Sequence, residues 1–99
     1  MKLRKRPPVH PGGILKRNYI DQSVITITEL SDILGISEKT ALKILNECAS
    51  VTPDIALRLS RAFNTSPELW LNLQQNYDLW HTFHDSMILK NIQAVAERL

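Results

Sequence analysis

Apolar residues recur along this chain three and four positions apart, the spacing of one face of an α-helix. An alternation of apolar and polar residues, as in a strand, extends no further than residues 23–28. The helical spacing first appears after Pro11, in Ile14, Leu15, Tyr19 and Ile20. The pattern therefore predicts a helical protein whose first short helix follows an extended, proline-rich arm over residues 1–10.

Signals for helix N-termini divide the rest of the chain. Thr26 and Glu29 have the spacing of a capping box, in which each side chain accepts a hydrogen bond from the other residue's backbone N–H. Ser37 is a second N-cap candidate. Thr52-Pro53-Asp54 and Ser66-Pro67-Glu68 each place a cap before a proline and an acidic residue in the first turn. These signals predict four further helices.

Each of these helices has an apolar face that we expect to be buried. In chain order, the residues are Leu30, Ile33 and Leu34; Ala41, Ile44 and Leu45; Ile55, Ala56, Leu59 and Phe63; and Leu69, Trp70, Leu73, Tyr77 and Trp80. The predicted fold class is accordingly all-α, with a five-helix domain over residues 11–82.

A last apolar stripe follows this domain and predicts an amphipathic helix over residues 83–99. A stripe that remains after a small core has closed must fold back on that core or pair with another chain. We predict that it pairs two copies in a homodimer, through Ile88, Ile92, Val95 and Leu99.

Residues 27–46 have the pattern of one helix-turn-helix unit. Ser31 is small enough for the point where two helices cross, and Gly35 permits the positive φ that the turn requires. Ala41 and Ile44 have the spacing needed to dock the second helix against the first. This combination favours a DNA-binding unit over an ordinary helical hairpin.

In such a unit the second helix enters the major groove of double-stranded DNA with its N-terminus first. Lys39 and Lys43 share one face and can bind guanine edges or phosphates. The hydroxyls of Thr28 and Ser37 lie near helix N-termini, where phosphates bind. Glu38 either accepts a hydrogen bond from a cytosine or, as we favour, interacts with the helix dipole. The predicted DNA-binding residues are Thr28, Ser37, Glu38, Lys39, Thr40 and Lys43.

The charge is unevenly distributed. Residues 1–17 carry six basic and no acidic side chains, whereas the other 82 residues carry six basic and ten acidic ones, although the whole chain has a net charge of +2. The basic arm is either a phosphate-binding tail or a solubilising terminus. Cys48, the single cysteine, has no partner for an internal disulfide, and no apolar run approaches the ~20 residues of a membrane span. We expect a cytoplasmic protein that does not enter a membrane.

Catalytic and metal-binding patterns are weak. His81 and His84, with Asp78 and Asp85, can share a helix face, but no second cluster completes a metal site, and histidines near acids are common on surfaces. No catalytic triad, acidic dyad or phosphate-binding loop is present. The sequence predicts neither an enzyme nor a cofactor.

Four segments resemble HigA-type (VapI-like) antitoxins, a branch of the Cro/repressor-like helix-turn-helix proteins. They are PVHPGGIL at 8–15, DIALRL at 54–59, TSPELWLNLQ at 65–74 and YDLW at 77–80, and the resemblance covers about residues 7–80. It implies an antitoxin that neutralises a small RNA-cleaving HigB-type toxin. It also implies a repressor that binds the operator of its own operon as a dimer.

Three positions depart from the pattern of that family. Ile27 and Leu42 stand where polar residues are usual. Asn46-Glu47-Cys48-Ala49 stands where the family usually has an Asn-Gly pair and a nearby basic residue. Each change removes polarity or positive charge from the expected DNA face. Two alternatives therefore stay open: a helix-turn-helix regulator without a toxin, and a protein-interaction module with weakened DNA binding.

Overall fold

The computed structural model describes residues 6–93 and Val95 of the 99-residue chain. Within that part, five α-helices form and no strand is present, which confirms the all-α, five-helix prediction. Lys2, Arg4 and Lys5 of the predicted basic arm and Leu99 of the predicted interface lie outside the described residues. The α-helices are α1 (Pro11–Leu15), α2 (Ile27–Leu34), α3 (Glu38–Leu45), α4 (Pro53–Phe63) and α5 (Pro67–Asp85), with a π-helical turn at Lys16–Ile20 and a 3-10 turn at Ile88–Asn91.

The predicted N-caps are all present. Thr26 Oγ1 accepts from the Glu29 amide at 3.1 Å, and Glu29 Oε1 accepts from the Thr26 amide at 3.4 Å, which completes the capping box. The side chains of Ser37, Thr52 and Ser66 accept hydrogen bonds at the starts of α3, α4 and α5. Each cap contributes about 1 kcal/mol, because it satisfies a backbone N–H that has no partner within the helix.

The core is centred on Trp70, which is completely buried in α5. Its Nε1–H donates to Thr65 Oγ1 at 2.7 Å, so burial leaves no polar atom of the ring unsatisfied. Tyr19 lies with its ring centroid 4.8 Å from that of Phe63 and 6.0 Å from that of Trp70, joining the π-helical turn to α4 and α5. The other buried apolar residues come from α1 to α4 and from the loop before α4: Leu15, Leu30, Leu34, Ala41, Ile44, Leu45, Val51, Ile55, Ala56 and Leu59.

The end of the N-terminal arm is part of this core. Residues 7–10 have no regular secondary structure, but Pro8 and His10 are buried. His10 is the N-cap of α1: its Nδ1 accepts from the Gly12 amide at 2.9 Å, and its ring meets Tyr77 edge to face at 4.8 Å. Burial lowers the pKa of His10 below its ordinary value of 6.5, although Glu47 and Asp78 act to raise it. The imidazole therefore serves as a neutral acceptor.

Close approach of α1 to α3 depends on Gly12. A Cβ at this position would overlap the backbone carbonyl oxygen of Ile44 in α3. Neighbouring Gly13 has more room, since a Cβ there would lie 3.3 Å from the nearest atom, at the flexible end of Arg17. Gly12 thus sets how closely α1 supports the second helix of the helix-turn-helix.

Three predictions of the apolar pattern are wrong. Leu69, expected in the core, is 39% exposed, because the buried stripe of α5 runs through Trp70 and Gln74. Ile33, expected in the core, is 52% exposed, because the buried stripe of α2 runs through Leu30, Ser31 and Leu34 and leaves residue 33 on its flank. The amphipathic helix expected over 83–99 does not extend through the described residues, since α5 ends at Asp85 and only the short 3-10 turn follows. A short helix without a surface to pack against is marginal in water.

Candidate nucleic-acid interface

The turn between α2 and α3 has the conformation that Gly35 predicts. This residue adopts φ 68° and ψ 36°, in the left-handed region, and its amide closes the last turn of α2. Arg58 of α4 completes the turn: its guanidinium donates to the carbonyl oxygens of Leu34 at 2.8 Å and Gly35 at 3.0 Å, and to the Asp54 carboxylate at 3.0 Å. Sequence reasoning missed this role of Arg58, because its partners lie more than twenty residues earlier.

Helix α3 has one buried and one exposed face. Ala41, Ile44 and Leu45 lie in the core, as expected from their spacing. The opposite face presents Glu38, Lys39, Leu42 and Lys43 to solvent. The second helix of the unit is therefore available along its outer side.

Four of the six predicted DNA-binding residues form two hydrogen-bonded pairs at the N-terminal end of α3. Ser37 Oγ donates to Thr40 Oγ1 at 2.8 Å and accepts from the Thr40 amide at 3.1 Å. Thr28, at the start of α2, donates its hydroxyl hydrogen to Glu38 Oε1 at 2.7 Å. The structure thus brings the N-termini of α2 and α3 together and gives Glu38 a partner that sequence reasoning did not anticipate.

The other two predicted residues are the lysines of α3. Lys39 and Lys43 are exposed, and neither side chain makes a hydrogen bond or ion pair within the described part of the chain. Both ammonium groups are therefore free to bind an anion. The pair lies at i, i+4, on one face of the helix.

The loop after α3 also departs from ordinary geometry. Glu47 adopts φ 62°, a left-handed conformation that glycine takes at little cost. This is the position at which the antitoxin pattern has the glycine of its Asn-Gly pair. A glutamate adopts the left-handed conformation here, at a cost of about 1 kcal/mol relative to glycine.

The histidines of α5 are engaged with aromatic rings. His84 stacks on Trp80 with centroids 3.7 Å apart, and His81 lies 4.3 Å from Tyr77. Across residues 6–93 and Val95, His, Cys, Asp and Glu form no group of three able to hold a metal ion. The same residues include no helix long and apolar enough to cross a membrane.

Comparison with known proteins identifies the unit. A family model for the Cro/C1-type helix-turn-helix DNA-binding domain matches residues 17–68, which include both helices of the unit and the whole of α4. The chain belongs to this family. The match begins after α1 and ends at the start of α5.

Full-length relatives extend the similarity beyond that domain. An uncharacterised helix-turn-helix transcriptional regulator of Haemophilus influenzae is 33% identical over 98% of this chain and 91% of its own length. Antitoxin HigA-1 of Vibrio cholerae is 34% identical over 83% of this chain and 77% of its own length. Among solved structures, antitoxin GraA in complex with its operator superposes with a TM-score of 0.83 at 36% identity, covering 95% of this chain and 96% of GraA.

Proposed function

We propose that this protein is a HigA-type antitoxin that represses its own operon and neutralises a HigB-type, RNA-cleaving toxin in the cytoplasm. The main support for DNA binding is the exposed face of α3, where the side chains of two lysines have no partner among the described residues. Similarity to an antitoxin bound to its operator, over nearly the whole of both chains, supports the assignment. The proposed role is regulatory and not catalytic.

On DNA, α3 enters the major groove, and Lys39 and Lys43 bind guanine edges or phosphates. Thr40 donates its hydroxyl hydrogen to a phosphate at the entry to the groove. Thr28 and Ser37 line this entry, and their hydroxyl hydrogens are donated to Glu38 and Thr40. Glu38, held by Thr28, orients the N-terminus of α3 and does not read a base. The basic arm adds attraction to phosphates of any sequence.

The protein acts as a homodimer, because paired operator half-sites are bound by two-fold dimers. Ile88, Ile92 and Val95 are 71%, 66% and 56% exposed in the single chain. Several apolar side chains exposed to this extent within one short segment are typical of an interface. Together with Leu99, they form the proposed contact between the two copies.

A gel-shift titration on the DNA immediately upstream of the coding sequence tests operator binding. Lys43→Ala should weaken binding to this DNA by about 1–3 kcal/mol and have little effect on random DNA if Lys43 contacts a base edge. The matched control is Arg61→Ala, which removes an exposed basic side chain of α4 that belongs neither to the proposed DNA-binding residues nor to the proposed dimer contact. Equal binding of the unaltered protein to upstream and random DNA at low salt would contradict operator recognition.

Deletion of residues 2–6 tests the arm separately. Affinity for upstream and random DNA should fall alike, and the salt dependence should flatten by about one slope unit for each phosphate that the arm no longer neutralises. A decrease confined to upstream DNA would show instead that the arm reads sequence.

The toxin is tested by co-expression with the product of the adjacent small reading frame. Rescue of growth and co-purification of the two proteins are expected. Operator binding without rescue would identify a regulator that has no toxin partner.

A further inference from the structure

We infer that Leu42 is a specificity-determining residue that binds the methyl group of a thymine in the operator. Leu42 is 43% exposed on α3. The inference rests on the proposed operator binding and adds to it the base that one residue reads. It starts from an apolar side chain on a face that is otherwise polar.

Leu42 is not part of the core. The buried side of α3 is already formed by Ala41, Ile44 and Leu45, and Leu42 is absent from the partly buried residues that pack around them. At 100° per residue, Leu42 projects between Glu38 and Lys39, one turn further from the N-terminus of the helix. It thus belongs to the same outward face as the residues proposed to meet DNA.

The chemistry of the major groove restricts what this side chain can bind. Leucine has no donor or acceptor, so it can recognise neither a phosphate nor a polar base edge. The C5 methyl group of thymine is the apolar group that the four base pairs display in the major groove. A leucine held in the groove therefore favours T·A over the other pairs.

The surroundings of Leu42 favour DNA over a protein partner. Its neighbours on the face are Glu38, Lys39 and Lys43, whereas the centre of a protein interface is depleted of charged residues. Glu38 is bound to Thr28, and the lysines bind guanine or phosphates. Leu42 is then the side chain of this face suited to recognise an A·T pair.

The test replaces thymine by deoxyuridine, which pairs identically but lacks the methyl group, at one operator position at a time. For the unaltered protein, affinity should fall about three- to tenfold at one thymine position in each half-site. Leu42→Ala should bind the thymine and deoxyuridine forms of that position equally. Leu57→Ala, which shortens a 57% exposed leucine on α4, is the matched control and should keep the full difference.

Each other outcome counts against the inference in a distinct way. If Leu42→Ala keeps the same sensitivity to deoxyuridine, another residue contacts the methyl group. If no thymine is sensitive although the operator is bound, Leu42 does not read a base. If Leu42→Ala leaves operator affinity unchanged and abolishes co-purification with the toxin, the side chain contacts protein. If the unaltered protein shows no operator preference, the proposed function fails as well. A helical circular dichroism spectrum for both variants excludes misfolding.

Discussion

The helix-turn-helix and the C-terminal end of the molecule both have helical apolar patterns, yet only in the first is the apolar face buried against other helices. In the helix-turn-helix, α2 and α3 each start at a cap, and Gly35 and Arg58 complete the turn between them. After Asp85, by contrast, the described chain forms one 3-10 turn and leaves Ile88 and Ile92 exposed. An apolar pattern with helical spacing therefore gives a stable helix only where its apolar face packs against another part of the protein.

The two regions also expose opposite chemistry. The outer side of α3 carries two lysines and a hydrogen-bonded Glu38. These charged side chains are well solvated and need no partner to be stable on the surface. The tail exposes large apolar side chains, which become more stable on leaving water. The apolar side chains of the first region are buried within one chain, whereas those of the tail are proposed to be buried against a second copy.

The largest effect on stability is expected for Gly12→Ala, which disturbs the contact between α1 and the helix-turn-helix. The added Cβ overlaps the backbone of α3, which cannot move without separating α1 from it, so the free energy of unfolding should fall by about 3 kcal/mol or more. Gly13→Ala is the matched control and should stay within about 1 kcal/mol of the unaltered protein, since the nearest atoms are the flexible end of Arg17 at 3.3 Å and a methyl group of Val9 at 3.4 Å, and no backbone atom. Urea unfolding measures both, and equal stability of the two variants would contradict the close approach of the two helices.

Gly35→Val should have the next largest effect. A β-branched residue in the left-handed conformation, with its Cβ 3.0 Å from an Arg58 nitrogen, should lower the free energy of unfolding by about 2 kcal/mol. Gly35→Asn should cost less, because asparagine tolerates this conformation. Thermal unfolding by circular dichroism compares them, and a Gly35→Val protein of unaltered stability would rule out the turn.

The pH dependence of stability tests the buried end of the arm. Because burial lowers the pKa of His10, the unfolded chain binds this proton at a higher pH than the native protein does. The stabilisation is fully present above pH 6.5 and should be lost progressively as the pH falls below 6.5 towards the native pKa. His10→Asn keeps a capping acceptor but does not titrate, so it should lose this dependence.

Urea unfolding at several pH values between about 7.5 and 5 measures the effect. His84→Gln is a suitable control, because His84 lies exposed on α5 and should leave the pH profile of His10 in place. Identical profiles for His10→Asn and the unaltered protein would show that His10 does not contribute.

The smallest effect on stability is expected in the tail. Ile92→Asp should change the free energy of unfolding of a single chain by less than about 0.5 kcal/mol, since the side chain is exposed. It should nevertheless dissociate the dimer, because a charge would enter an apolar interface. Light scattering measures the mass, with Gln93→Asp as the control. A dimeric mass in both Ile92→Asp and Val95→Asp would exclude this stripe as the interface.

The sequence alone determined where the helices of the domain begin and how the central turn is made. A capping box needs only Thr26 and Glu29, three residues apart, and a left-handed turn needs only Gly35, so their signals are local and legible in the chain. The same holds for the buried stripe of α3, which follows from 3.6 residues per turn. The fold class and the position of the helix proposed to face DNA follow from such local rules.

Only the tertiary structure decided which distant groups meet. Arg58 reaches the carbonyl oxygens of Leu34 and Gly35, and Thr28 reaches Glu38, across separations of 10 to 24 residues. His10 became a buried cap beside Tyr77, and the tail beyond Asp85 did not continue as a helix. These outcomes depend on how helices pack and on which apolar faces receive a partner, and neither is encoded in the spacing of neighbouring residues.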